Sequence, residues 1–400
     1  MLNRMQQVGF DRAKKWWLDG NEQIFKIAGY AGTGKTYLSS MVSAELAENK
    51  IAFCAYTGKA ALVMQQRGMP ATTIHRLIYE TIPVETLCED DNGKSFYRVK
   101  YKTKLKEYLD PKPSIIMVDE ASMIDTKTLN DLLSFGIPII AVGDPFQLPP
   151  VQGKESELLI NPDVTLEEIM RQDEGSPIAY LAEKIRKGKP LREDESYPDC
   201  IWQMSKTDLF SNLEIFKWAD QFIAARNATV NSINHQARQY FGFTGDLPIV
   251  GDKMICRRNF WDTLLVDGRL PTPLVNGLIG YVTKVEEKQI ISKLPWKPDG
   301  FMFSSNQLNL RPIFEDEAEF TELKYNPLAL WENDQQRRNA LKGIILQYGY
   351  CITCHASQGS EWDNVVLYDD SWPDRNDPTQ QARWRYTGVT RAAKKLIWLR

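Results

Sequence analysis

A chain of 400 residues has room for two or three domains with cores of their own, and 43% hydrophobic residues make it globular rather than disordered. A net charge of −3 excludes an all-over basic coat, though not nucleic-acid binding, which depends on local charge along a groove. No apolar run reaches the ~18 residues that suggest a membrane span, residues 1–17 hold no signal-peptide core, and six cysteines are too few for a disulfide framework, so a cytoplasmic protein with reduced thiols and no membrane partner is expected.

In chain order, residues 24–28 read as a strand, 36–48 as a helix, 51–56 as a strand, and a helix starts at Lys59. Residues 115–118 and 137–142 are further apolar strands. Strands of this kind alternating with helices imply a parallel sheet covered on both faces. Between them, Asp91-Asn92-Gly93 signals a two-residue hairpin turn. On the arm after it, alternation puts Tyr97, Val99 and Tyr101 on one face, and Phe96, Arg98, Lys100 and Lys102 on the other. The α/β pattern resumes with a helix at 177–187, a strand at 221–225 and a helix at 230–240. From 247 to about 339, short β-like runs (253–256, 280–285, 301–303) broken by Gly, Pro and Asp suggest a small inserted barrel. A single strand at 344–353 returns to the α/β pattern, and a strand at 396–399 ends the chain. The boundaries expected are a first core at 1–165, with a hairpin insertion at about 80–110, and a second core at 166–400, with the barrel at about 247–340.

Gly29-Tyr30-Ala31-Gly32-Thr33-Gly34-Lys35-Thr36 fits G-x-x-x-x-G-K-[ST], placed after a strand and at the start of a helix as the motif requires. Its glycines let backbone N–H groups wrap the phosphates of ATP. Lys35 reaches toward the β- and γ-phosphates, and Thr36 holds Mg2+. Ile115-Ile-Met-Val-Asp119-Glu120 ends an apolar strand on two carboxylates. Asp119 suits the Mg2+ shell and Glu120 the attacking water. Gly143-Asp144-Pro-Phe146-Gln147 follows the next strand; Gln147 is placed to sense a γ-phosphate, unless the segment is only a proline-rich turn. Cys351-Ile-Thr-Cys354-His355 matches the haem attachment pattern, but that chemistry needs export or a dedicated compartment, so it is set aside.

Taken together, these motifs resemble superfamily 1 helicases, specifically the RecD/Dda-like branch, and the resemblance spans nearly the whole chain. Gly29–Thr36 resembles motif I, the run Tyr56 to Ala61 motif Ia, and Thr73-Ile-His75 the DNA-contact motif after it. Asp119 to Ser122 resembles motif II, Gly143 to Gln147 motif III, and Arg171-Gln172 with Ser176-Pro-Ile178 motif IV. Thr353 to Glu361 resembles motif V, and Tyr386 to Ala392, holding Arg391, motif VI. Three departures stand out: Ala356 where the family usually has lysine, Met170 where many relatives carry an aromatic residue, and Gly388 for alanine.

The resemblance implies two RecA-like parallel-sheet P-loop cores, a hairpin or pin in the first, and an SH3-like barrel in the second, starting near Val275-Asn276-Gly277. It implies an ATP-dependent DNA helicase that moves 5′ to 3′ on single-stranded DNA, separates duplexes at junctions, and serves replication, recombination or repair. ATP binds between the cores, with Gly29 to Thr36, Gly359 and Glu361 around it and arginine fingers at Arg171 and Arg391. Gln6 stands where the family reads adenine, with Gln7 an adjacent rival. Thr57, Gly58, Lys59, His75, Phe96, Thr353, His355 and Ser357 are the expected strand contacts, since hydroxyls and amides hold phosphates without reading sequence. Phe146 either stacks a base or packs in the core. A monomer is expected, with replication or recombination proteins as partners. The alternatives are a translocase that strips proteins from single strands, a motor on RNA, or an ATP-gated clamp; an intact hydrolysis set argues against the last.

Overall fold

The computed structural model describes residues 2–46, 50–89, 95–150, 157–168, 176–190, 200–245, 248–265, 272–285, 300–303, 308–312, 344–372 and 379–400; the side chains of 83–101, 208, 210, 261–265, 272, 283–285, 300–303, 308–312 and 344–345 fall outside that description. Two compact units divide the chain. The first is Met1–Tyr56, Val63–Pro145 and Pro149–Glu168; the second is Thr57–Leu62, Phe146–Leu148 and Ile169–Arg400.

In the first unit the order is α1 (Arg4–Asp19), β1 (Ile24–Gly29), α2 (Lys35–Glu45), β2 (Ile51–Ala55), α3 (Gly58–Gln66, whose residues 58–62 belong to the second unit), β3 (Ala71–Thr73) and α4 (Ile74–Ile78). Then come β4 (Tyr79–Glu89), β5 (Ser95–Leu105), β6 (Ile115–Asp119), α5 (Thr126–Leu133), β7 (Ile139–Gly143) and β8 (Val164–Leu166). Six strands form a parallel sheet in the order β3-β2-β6-β7-β1-β8. The apolar runs are continuous because both faces are covered. Ile116, Val118, Ile139 and Ala141 enter one buried cluster, while Ile115, Met117, Ile140 and Val142 enter the other. Each buried isoleucine contributes about 2 kcal/mol, so a polar residue at 115–118 or 139–142 would uncouple the central strands. Asn3 caps α1 through a reciprocal pair with Gln6, and the helix stops at Gly20, whose φ of 62° favours glycine.

β4 and β5 form the antiparallel hairpin. Their register sets Glu89 opposite Ser95 and Cys88 opposite Phe96. Asp91, Asn92 and Gly93 themselves lie outside the described residues.

In the second unit the elements are α6 (Pro177–Arg186), β9 (Ile201–Met204), α7 (Asp208–Ser211), α8 (Ile215–Trp218), β10 (Gln221–Ala224), α9 (Asn227–Tyr240), β11 (Lys253–Cys256), β12 (Phe260–Leu265), β13 (Thr272–Leu274), β14 (Ile279–Val285), β15 (Gly300–Phe303) and β16 (Leu308–Pro312). They continue with β17 (Ile344–Tyr348), β18 (Cys351–Thr353), β19 (Trp362–Tyr368), α10 (Gln380–Val389) and β20 (Ala392–Leu399). A five-stranded parallel sheet runs β18-β10-β19-β20-β9. Beside it an antiparallel sheet runs β15-β17-β11-β14-β16. Much of the barrel expected at about 247–340 falls on residues outside the description.

The single strand expected at 344–353 is two strands. β17 pairs antiparallel with β11 and β15, whereas β18 pairs parallel with β10. Gly349 makes the change of sheet: its N–H donates to the Lys253 carbonyl at 2.7 Å, and a Cβ there would lie 3.0 Å from the Met254 backbone. A buried ionic cluster fixes α9 to the start of β11. Arg238 holds Asp252 through two hydrogen bonds, of 2.9 and 3.1 Å. Asp252 also accepts from the Tyr350 hydroxyl and the Ile249 N–H. All four acceptor contacts make this pair satisfied rather than merely buried.

Candidate functional site

In the first unit, the loop from Gly29 to Gly34 joins β1 to α2. Gly32 and Gly34 have φ of 77° and 75°, the left-handed region that admits glycine readily. Gly29 has no room for a side chain: a Cβ would lie 2.7 Å from Thr33 Oγ1 and 3.1 Å from Leu166 Cβ. The loop therefore wraps tightly, and Lys35 Nζ lies over it, donating to the Gly29 and Tyr30 carbonyls at 2.8 and 3.0 Å. Thr36 stands in the first turn of α2. Gln6 is 1% exposed and donates to the Thr33 carbonyl at 3.3 Å, while Gln7 is exposed and bonds Asp11. Of the two glutamines, only Gln6 touches the loop.

Asp119 ends β6, two strands from β1 in the same sheet. Burial pushes its carboxyl above the ordinary range, opposed by the Glu120 N–H and by the charges of Lys35 and Arg67. A half-buried carboxylate beside a phosphate-type loop is an oxygen ligand that a divalent cation can use. Glu120 follows with φ 54° and ψ 42°, left-handed for a non-glycine residue, at a cost of about 1–3 kcal/mol. Gly143, closing β7, approaches within 3.0 Å of the Ser122 N–H if given a Cβ, so the turn after Glu120 packs on that strand's end. Ser122 Oγ is buried without a partner among the described residues. Arg67 had no motif to announce it; only its placement in space ties it to Asp119.

His75, in α4, lies between Tyr56 and Tyr79, with ring centroids 5.9 and 5.5 Å away. Burial lowers its pKa below the usual imidazole value, with Asp125 opposing. Phe96 is in β5, with its side chain outside the description. Arg171 is outside the described residues altogether.

In the second unit, Thr57 accepts from the Ala60 N–H and caps the first turn of α3. A Cβ on Gly58 would lie 2.3 Å from Asn259 Oδ1, so packing alone demands glycine there. Lys59 Nζ lies 5.2 Å from the Trp362 ring centroid, and Lys59, Glu361 and Trp362 share the wall of a cavity of about 700 Å3. Lys253 lines the same cavity; its buried amine donates to the Asp220 carbonyl and Gln221 Oε1, and burial pushes it down to about 7. Phe146, half-buried, packs edge-on against Tyr386, 5.3 Å between centroids. Gln147 is 4% exposed and its Oε1 is buried without a hydrogen-bond partner among the described residues.

Thr353 ends β18 and accepts from the Ala356 N–H. His355 follows, its pKa lowered by burial. Ser357 is fully buried and donates to the Cys354 carbonyl at 2.7 Å. Gly359 has φ 72°. Cys351 and Cys354 are buried core thiols. Arg391 is 6% exposed and donates to the Thr387 and Ser360 carbonyls and to Thr390 Oγ1. Within the first unit Lys35 and Asp119 are in electrostatic contact, and within the second Lys59 and Glu361 line one cavity.

Residues 10–199 match the family described as AAA domain, and residues 348–399 match the UvrD-like helicase C-terminal domain. The chain is 28% identical to uncharacterized protein R530 of Acanthamoeba polyphaga mimivirus, over 99% of each chain. It is 30% identical to the ATP-dependent RecD2 DNA helicase of Deinococcus radiodurans, over 94% of this chain but 46% of that protein, so it spans about half of that relative. The Bacteroides Pif1 helicase solved with ADP-AlF3 and single-stranded DNA shares the fold, with a TM-score of 0.53 and 18% identity over 100% of this chain and 92% of that one.

Proposed function

We propose that this chain is a RecD/Pif1-like helicase of superfamily 1, an ATP-hydrolysing motor that moves 5′ to 3′ along single-stranded DNA and opens duplexes at junctions. The observation that carries this reading is the first unit's loop: Gly32 and Gly34 in left-handed conformations, with Lys35 over the loop and in electrostatic contact with Asp119. Loop N–H groups and Lys35 bind the nucleotide phosphates, Gln6 stands beside the loop for the base, and Glu120 orients the attacking water and takes its proton. Thr36 and Asp119 would hold Mg2+, which when bound supplies positive charge to the phosphate oxygens. Arg391 and Arg171 are the proposed neutralisers of leaving-group charge. Thr57, Lys59, His75, Thr353 and His355 hold the strand through its backbone, which makes binding sequence-tolerant. The SH3-like barrel belongs to the same reading, with the antiparallel sheet around β11 and β14 as its support.

The test is ATP hydrolysis measured with and without oligo(dT), in wild type and Lys35→Ala. Wild-type turnover rises with oligo(dT). The variant loses turnover by at least ~100-fold while keeping oligo(dT) affinity, because its change is confined to the phosphate loop. Normal turnover in Lys35→Ala removes the loop from the mechanism.

A further inference from the structure

The carboxyl ends of a parallel sheet are where α/β folds take ligands. In the second unit that edge carries Thr353 at the end of β18, and Ala224 at the end of β10. Further across the sheet are Tyr368, Leu399 and Met204, ending β19, β20 and β9. Only the β18 end was reached by motif reasoning. The other end holds a second cavity, of about 550 Å3, lined by Lys189, Lys206, Arg385 and Arg400. One carboxylate, Asp369, faces these four cations, and it is bound to Arg385 at 2.8 Å.

The cations are held in place. Lys206 Nζ lies 5.6 Å from the Tyr368 ring centroid, and the Arg400 guanidinium 4.4 Å from Trp398. Side chains already ordered lose less entropy when they bind an anion. At the lip, Ser371 lines the cavity and the next residue, Trp372, is 69% exposed. Burying an indole is favourable, yet among the described residues this one stays in solvent, with the Arg226 guanidinium 4.5 Å from its ring. Asp370 fixes that arrangement from below, accepting from the Ala225 and Arg226 N–H groups and the Thr229 hydroxyl. A basic cleft with an exposed aromatic at its lip is the combination that holds a phosphate and stacks the adjoining base.

We propose that the cleft of Lys189, Lys206, Arg385 and Arg400, together with Trp372, is an additional single-strand site: a backbone phosphate sits in the cleft and a neighbouring base stacks on Trp372. The inference rests on the helicase reading above, and it lengthens the strand path beyond Thr353 and His355. An acidic peptide would use the cations but would leave the indole without a planar partner, so nucleic acid is the better fit.

The test compares wild type, Trp372→Ala and the double variant Lys189→Ala/Lys206→Ala by fluorescence anisotropy with oligo(dT) of increasing length and with salt titration. Circular dichroism and DNA-free ATP hydrolysis, which involve none of these residues, confirm folding. Short oligonucleotides bind all three proteins alike. Long ones bind Trp372→Ala roughly tenfold more weakly, and in the double variant the slope of log affinity against log salt flattens by about 0.7, one phosphate contact. Wild-type affinity and slope at every length in both variants would overturn the proposal. So would wild-type oligo(dT) binding in variants that have lost only inorganic pyrophosphate binding, since the cleft would then be a free-anion site. Failure of the wild type to bind oligo(dT) at any length would sink the helicase reading itself.

Discussion

Glu120 occupies a backbone conformation that costs energy, at the end of the strand that also presents Asp119. Strain of this kind persists where the surroundings over-determine it, and here the 3-10 turn at Ala121–Met123 and the close approach of Gly143 do so. Glu120→Gln keeps the backbone and the Asp119 carboxylate but removes the base. Nucleotide affinity should stay within about threefold, while kcat falls by roughly 100-fold or more. Labelled-nucleotide binding and single-turnover hydrolysis measure the two separately; an unchanged kcat with normal binding would clear Glu120 of a catalytic role. Residues like these were legible because the loop and the acidic strand end carry their spacing in the sequence. Burial was not legible. Gln6 and Gln7 are indistinguishable as letters, yet one is buried against the loop and the other bonds Asp11 at the surface. Ser357 reads as a hydroxyl for a phosphate, but its hydroxyl is committed to the Cys354 carbonyl. Arg67 carries no motif, and its coupling to Asp119 comes only from the fold.

At the scale of elements, buried parallel strands were legible because continuous apolar runs have one main explanation, a sheet covered on both faces. Residues 344–353 show the limit. Nothing in an apolar run marks which sheet each half joins, and the turn at Gly349 is set by contact with Met254, far away in sequence. The register of the hairpin leaves Phe96, Arg98, Lys100 and Lys102 on one face of β5, opposite Cys88, Thr86, Val84 and Ile82. An aromatic beside three cations on one face suits a base and its phosphates, so we propose this arm as a strand-splitting pin. Phe96→Ala should cut the rate of duplex opening several-fold while DNA-stimulated ATP hydrolysis stays near wild type, because the phosphate loop is untouched. Strand displacement and phosphate release, measured on the same preparation, give base pairs opened per ATP. A wild-type ratio would exclude Phe96 as the wedge.

For the whole molecule, net charge is a poor guide to function. A chain of −3 hides a cleft of four cations, because acidic residues elsewhere cancel them in the sum. Two α/β units, each with its own parallel sheet, provide the two bodies a stepping motor needs. Direction of movement is a property of the molecule rather than of any motif, since backbone contacts hold a strand without regard to sequence. It follows from which unit leads, and the resemblance of the motifs to the RecD/Dda-like branch carries the expectation of 5′ to 3′. Duplexes bearing a single-stranded tail on either the 5′ or the 3′ side separate the possibilities. With ATP and Mg2+, the 5′-tailed duplex should open and the 3′-tailed and blunt duplexes should remain closed. Lys35→Ala should open none of them, which ties strand separation to hydrolysis rather than to trapping of frayed ends. A 5′-tailed duplex that stays closed while the 3′-tailed one opens would reverse the assigned direction. ATP hydrolysis stimulated by both tails, with neither duplex opening, would identify a translocase that moves along single strands without separating them.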